Sequence, residues 1–199
     1  MGEMYFPGAT TIGMVCEDGV ILSSEKRISY GYMIMSKMGK KTFMLTSSVG
    51  AACAGLVADM QVLIHQVTAY SKLYELDHNR SISVKSVTKA MASLMFERRF
   101  FPYITQVIVG GVDDEGPSIY ILDPLGSVLP DKYATVGSGA EIAIGVLEAS
   151  YRDGLSLDEG KDLIARAMKS ALARDSTSGN GIDLLIISKN KIKEESIAV

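Results

Sequence analysis

Four short stretches of this chain combine hydroxyls, charges and glycines in ways that chemistry could use. They are Gly8-Ala9-Thr10-Thr11, Ser24-Glu25-Lys26-Arg27 with Gly39-Lys40-Lys41 shortly after, Gly137-Ser138-Gly139, and Arg174-Asp175-Ser176-Thr177-Ser178-Gly179. A side-chain hydroxyl is a weak nucleophile and attacks a carbonyl only with a base beside it. Taken singly, each stretch also has an ordinary structural role. Charges near turns are solvated, Gly-Ser-Gly before a helix is a tight turn with a cap, and Asp-Ser-Thr-Ser-Gly stops a helix.

Two other chemistries fit less well. Gly137-x-Gly139 is followed by Ala140, Glu141 and Ile142, so the third glycine of a dinucleotide fingerprint is missing, and no Walker-type lysine follows. His65 and His78 are 13 residues apart, which fits no helical ligand spacing. Asp77-His78 falls at a helix end, where a cation is favoured anyway. No metal and no cofactor is expected.

The elements that would position these stretches follow from pattern. Strands are predicted over 10–16 and 20–24, joined by the Glu17-Asp18-Gly19 turn, and over 41–46 and 49–54. The period then changes. Val57, Met60, Ile64, Val67, Tyr70 and Tyr74 mark a helix over 57–77, punctuated by Asn79 and Ser81. Ser83 caps a second helix over 84–100, and Pro102 stops it. Strands return at 104–110 and 118–122, about the Asp113–Gly116 turn. After Tyr133–Val136 and Gly137-Ser138-Gly139 comes a helix over 140–151. The Ser156/Glu159 capping box opens a fourth helix, to about Arg174. Residues 182–188 form a last strand, and the charged tail 189–199 is expected to fray. Strands in blocks and helices in pairs argue against alternating βαβ units. The reading is an α+β fold of four layers, an αββα sandwich.

Bulk numbers restrict the function classes. With 199 residues, 47% of them hydrophobic, the chain can build a substantial single core. A net charge of −3 asks for neither nucleic acid nor an anionic membrane. Cys16 and Cys53 make no metal spacing and no disulfide framework, and read as buried thiols in a reducing compartment. Glu3 stands where a secretory signal would be basic, and no apolar run approaches a membrane span. The expectation is a cytoplasmic protein.

Taken together, the stretches resemble the β-type subunits of the proteasome, proteases of the N-terminal nucleophile class. The archaeal type is the most similar. The resemblance runs from about Ala9 to Ser188. It is carried by T-T-I-G, S-E-K-R, G-K-K, A-G-L-V-A-D at 54–59, G-G-V-D at 110–113, G-S-G and R-D-S-T-S-G. It implies the same four-layer sandwich and a threonine endopeptidase that degrades unfolded polypeptides inside a barrel. The implied partners are α-type subunits and other β subunits, in seven-membered rings stacked as a four-ring barrel. A regulatory ATPase would be met only indirectly, through the α ring. Residues 1–8 correspond to a propeptide cut off between Gly8 and Ala9, and 9–199 to one β-type domain.

The resemblance also assigns roles. In the class, the nucleophile is the first residue of the mature chain, and its own α-amine is the base. Lys41 matches the lysine that keeps this amine neutral by like-charge repulsion. Glu25 matches the acid that pairs with it, where Asp is commoner. Gly55 matches the backbone donor of the oxyanion hole, and Ser138, Asp175 and Ser178 match the cluster around the amine. Ile28, Gly39, Phe43, Cys53 and Val57 match the pocket that sets cleavage preference, which an apolar lining would direct to hydrophobic residues. The family's nucleophile stands sixteen residues before the acid and thirty-two before the lysine. Both counts land on Ala9. Either a Thr→Ala exchange blocks self-cleavage, or the chain is a naturally non-catalytic β-type subunit, or Thr10 is the nucleophile after a one-residue slip.

Overall fold

The computed structural model describes residues 8–189 and 191–199. The proposed propeptide, apart from Gly8, lies outside the described residues. Strand β1 (Thr10–Cys16) turns into β2 (Gly19–Glu25) at the predicted Glu17-Asp18 turn. A short hairpin follows, β3 (Ile28–Tyr30) and β4 (Met33–Ser36), then β5 (Thr42–Met44) and β6 (Val49–Gly55). Helices α1 (Val57–His78) and α2 (Val84–Glu97) come next. Asn79, in left-handed conformation at φ 48°, ends α1, and the Ser83 side chain accepts the Ser86 amide to start α2.

The second half repeats the plan with β7 (Thr105–Asp113), β8 (Gly116–Leu122), β9 (Val128–Asp131) and β10 (Tyr133–Gly137). Helices α3 (Ala140–Ser150) and α4 (Leu157–Leu172) lead to β11 (Ile182–Ser188) and β12 (Lys191–Ile197). The predicted capping box is formed at α4, with Ser156 and Glu159 each accepting the other's amide.

Two five-stranded antiparallel sheets result, in the orders β10-β1-β2-β11-β12 and β5-β6-β7-β8-β9. Helices α1 and α2 pack on β6, β7 and β8, and α3 and α4 on β10, β1 and β2, while β1 and β2 face β6 and β7. The expected αββα order is the observed one. Three apolar layers hold it together. Met60, Leu63, Val87, Met91 and Met95 join the first helix pair to its sheet, and Ile12, Met14, Leu163, Ile164 and Met168 join the second. Between the sheets lie Leu22, Ile108, Leu185 and Ile187, interleaved with Ala9, Ala52 and Ala54. The small residues let the sheets approach. At Gly13 a methyl group would stand 2.5 Å from Ile108 Cγ2.

The tail corrects the sequence reading. Residues 191–197 are not frayed but pair along the whole of β11. Ile192 and Ile197 pack inward, while Lys191, Lys193 and Glu194 are directed outward. This is the charged composition of an edge strand that discourages pairing with another chain. The β3–β4 hairpin and β9 were not expected either, and α2 ends at Glu97 rather than at residue 100. Among the described residues no helix is long and apolar enough to cross a membrane. Both cysteines are free and buried.

Candidate active site

Ala9 stands immediately before β1 and is fully buried. The turn after β10 wraps around it. Gly137 has φ +98°, and a Cβ there would lie 2.1 Å from the Ala9 carbonyl oxygen, so only glycine permits this approach. The next residue uses it. The Ala9 amide donates to Ser138 Oγ at 3.1 Å, and the Gly139 amide donates to the Ala9 carbonyl at 3.3 Å.

The loop after α4 supplies the rest. Ser138 Oγ is 2.6 Å from Asp175 Oδ2 and 3.2 Å from the Ala9 carbonyl. One hydroxyl has one proton, and the shorter, charge-assisted bond to the carboxylate takes it. Ser178 donates to the same Oδ2 at 2.7 Å and pairs with the Thr10 hydroxyl at 2.8 Å. Thr177 donates its amide and its hydroxyl to Oδ1, at 3.1 and 2.8 Å. Burial alone would raise the Asp175 carboxyl. The hydrogen bonds from Ser138, Ser178 and Thr177 outweigh it and hold the group below the ordinary carboxylate range.

Glu25, the last residue of β2, is fully buried and forms an ion pair with Lys41, just before β5. Its second oxygen accepts the Arg27 amide at 2.6 Å and the Gly179 amide at 3.0 Å. Lys41 also donates to the Arg27 carbonyl at 2.7 Å. Burial pushes the Lys41 ammonium down and the Glu25 carboxyl up, and each one's charge opposes the other's shift. The Asp175 charge also favours the Lys41 cation. The segment 175–180 therefore touches both groups of residues, with Asp175, Thr177 and Ser178 on the Ala9 side and Gly179 on the Glu25 side.

Gly55 ends β6 at φ +138°, where a Cβ would lie 2.2 Å from the Ile104 carbonyl oxygen. It lines a largely apolar cleft of about 400 Å³ together with Gly8, Tyr103, Ile104, Pro124, Gly137 and Ser138. The five residues expected to set cleavage preference lie elsewhere. Cys53 is fully buried in the layer under α1 and α2, with Phe43 packed against that layer. Ile28 lies against Gly39, and Val57 is the first residue of α1. None of the five lines this cleft.

Three residues carry more of the site than the sequence suggested. Arg27 donates through Nη1 to the Ser176 carbonyl at 2.7 Å and through Nε to Asn180 Oδ1 at 2.9 Å, pinning the 175–180 loop. Its place in Ser-Glu-Lys-Arg was the available signal. Thr10 is bound by Ser178, and Thr11 crosses between the sheets to donate to the Cys53 carbonyl at 3.0 Å. Among the described residues no cluster of histidine, cysteine or acidic groups could hold a metal.

A four-layer αββα sandwich, with the residue before its first strand bound by a serine–aspartate cluster and a buried lysine–glutamate pair at the end of the neighbouring strand, has the form of the N-terminal nucleophile hydrolase class. The sequence profile described as "Proteasome subunit" matches residues 5–187. Proteasome subunit beta 1 of Cenarchaeum symbiosum (strain A) is 54% identical over 188 residues, covering 94% of this chain and 97% of that protein. Proteasome subunit beta 1 of Nitrosopumilus maritimus (strain SCM1) is 51% identical over 192 residues, 96% of each. Proteasome subunit beta 2 of Pyrobaculum calidifontis is 45% identical over 197 residues, covering 99% of this chain and 97% of that one. The chain belongs to the proteasome subunit family.

Proposed function

We propose that this chain is a β subunit of a proteasome core particle, built for threonine-type endopeptidase chemistry but blocked because alanine fills the nucleophile position. The observation that carries this reading is the state of residue 9. Around it Lys41, Glu25, Ser138, Asp175 and Ser178 are all present and bonded, yet position 9 has no hydroxyl. Without an Oγ, nothing attacks the Gly8 carbonyl, and the 8–9 peptide bond stays. The nitrogen of residue 9 is then an amide whose N–H donates a hydrogen bond to Ser138, and an amide cannot serve as the base. The register favours position 9 over Thr10. Thr10 pairs with Gly137 and Thr11 with Ser24 without a bulge, and the Thr10 hydroxyl is engaged by Ser178.

Residues 1–8 act as the propeptide and 9–199 as the β-type domain, working in the cytoplasm. In an active form, Gly55 supplies an oxyanion-hole amide. By the family resemblance, Ile28, Gly39, Phe43, Cys53 and Val57 bias cleavage toward hydrophobic residues from outside the cleft that Gly55 lines. Assembly with α-type and other β subunits is supported by exposed apolar surface. Met33, Met35 and Met38 on and after the β3–β4 hairpin are 69%, 63% and 82% exposed, and Phe100 and Phe101 after α2 are 78% and 89% exposed. The test is peptidase turnover of homogeneous β rings assembled with α-type subunits. The chain as it stands should be inactive on a hydrophobic fluorogenic peptide, and the Ala9→Thr variant active. Equal turnover by both would overturn the reading.

A second reading is a naturally non-catalytic subunit of a mixed ring. The relatives are named as beta 1 and beta 2, which suits a ring of more than one β type. On this reading, rings that mix this chain with a threonine-bearing β subunit turn over peptide in proportion to the other subunit alone.

A further inference from the structure

Gly8 has no room for a side chain. A Cβ built on it would lie 1.8 Å from Thr177 Oγ1, 2.4 Å from Thr177 Cβ and 2.7 Å from Ser138 Oγ. A clash with the tip of a flexible side chain is relieved by a rotation. This one is not, because Thr177 Cβ is fixed to the backbone whatever rotamer the hydroxyl adopts. The backbone is fixed in turn. The Thr177 amide and hydroxyl both bond Asp175 Oδ1, and the Ser178 amide bonds the Asp175 carbonyl at 3.3 Å. Arg27 holds the preceding Ser176 carbonyl. Thr177 Oγ1 also lies 2.8 Å from Ser138 Oγ, the atom that receives the Ala9 amide.

We propose that Thr177 is the specificity-determining residue for the 8–9 junction, excluding every residue but glycine from position 8 by the bulk of its own Cβ and hydroxyl. The proposal rests on reading Gly8–Ala9 as the processing junction. Thr177 takes no part in bond making. It positions the peptide by exclusion, so that a residue with a Cβ at position 8 displaces the carbonyl that the residue 9 hydroxyl must reach.

The test measures the rate at which residues 1–8 are lost, by intact mass, in the full chain carrying Ala9→Thr and assembled with α-type subunits. Adding Gly8→Ala should slow the loss about tenfold or more, the scale of overpacking a close contact. Adding Thr177→Gly as well should recover most of that loss, relative to the Ala9→Thr/Thr177→Gly reference. Ser138 Oγ, at the end of its side chain, can yield the remaining tenths of an ångström. Thr177→Val, which keeps the bulk and loses the hydroxyl, should leave Gly8→Ala slow. Processing of Gly8→Ala within about twofold of the glycine form, or an equal Gly8→Ala penalty in the Thr177→Gly background, would overturn the proposal.

A chemistry-free arm separates this from the junction reading. In the Ala9 chain, Gly8→Ala should lower the thermal midpoint when Thr177 is present and not when it is glycine. Failure of Ala9→Thr to lose residues 1–8 would sink the junction reading, and with it the processing role. The midpoint cycle would still decide whether Thr177 excludes a side chain at position 8.

Discussion

Lys41 and Glu25 meet in an ion pair whose side chains are 2% and 0% exposed, with the Arg27 backbone bonded to both partners. Burying two charges is costly, and their attraction returns the cost only when the remaining donors and acceptors are satisfied. Here most are, because Glu25 Oε2 accepts two amides and Lys41 donates both to Glu25 Oε1 and to the Arg27 carbonyl, using two of the ammonium's three donors. Removing one partner leaves the other buried and alone. Lys41→Met should destabilise the fold by about 3–5 kcal/mol, and adding Glu25→Gln should restore part of it. Chemical denaturation of the two variants would check this, and a double variant no more stable than Lys41→Met would contradict it.

Asp175 gives a pH signature. Its folded value lies below the ordinary 3.8. A carboxylate held down in this way contributes stability above its unfolded value and loses it as pH falls through the folded one. The stability gap between the chain and an Asp175→Asn variant should therefore be constant near neutral pH, about 1–3 kcal/mol. It should shrink progressively as pH falls below about 4. Thermal midpoints of both proteins across the acid range measure it. A gap that widens on acidification would contradict the assignment.

Arg27 should act on the loop rather than on chemistry directly. Its fork reaches a carbonyl and a side-chain oxygen that a lysine ammonium on a flexible stem cannot hold in the same way. Arg27→Lys should speed hydrogen exchange at the Ser178 and Gly179 amides while leaving β7 and β8 protected. Exchange at the Ser178 and Gly179 amides that Arg27→Lys leaves unchanged would remove Arg27 from the role.

The thiols should be silent in the native state. Burial, with the nearby charges of Asp18 and Glu159, pushes Cys16 up to about 12, and burial alone raises Cys53. A water-soluble disulfide reagent should label neither in the folded protein and both after unfolding. Rapid native labelling of Cys53 would mean that the layer beneath α1 opens readily.

Much of the fold was legible because the pattern is strong where the core is continuous. The stripe from Val57 to Tyr74 and the Ser156/Glu159 box marked α1 and α4 to within a few residues. What the pattern missed lies at edges. In β12, Ile192 and Ile197 are separated by Lys193, Glu194, Glu195 and Ser196, so charge hides the strand that pairing with β11 imposes. The β3–β4 hairpin exposes Met33 and Met35 and has no buried face to give it a period of two. At the site, residue types were readable and contacts were not. That Ser138 receives the Ala9 amide, 129 positions away, depends on the β1–β10 register. The exclusion of a side chain at Gly8 by Thr177 depends on the close approach of two loops, and no local pattern encodes that.

The most direct test of the account is the intact mass of the Ala9→Thr variant assembled with α-type subunits. Loss of residues 1–8, leaving a chain that begins at position 9, is the predicted result. It would make the alanine at this position the reason the junction stays closed. Retention of the full mass in a properly assembled particle would contradict the placement of the nucleophile at residue 9.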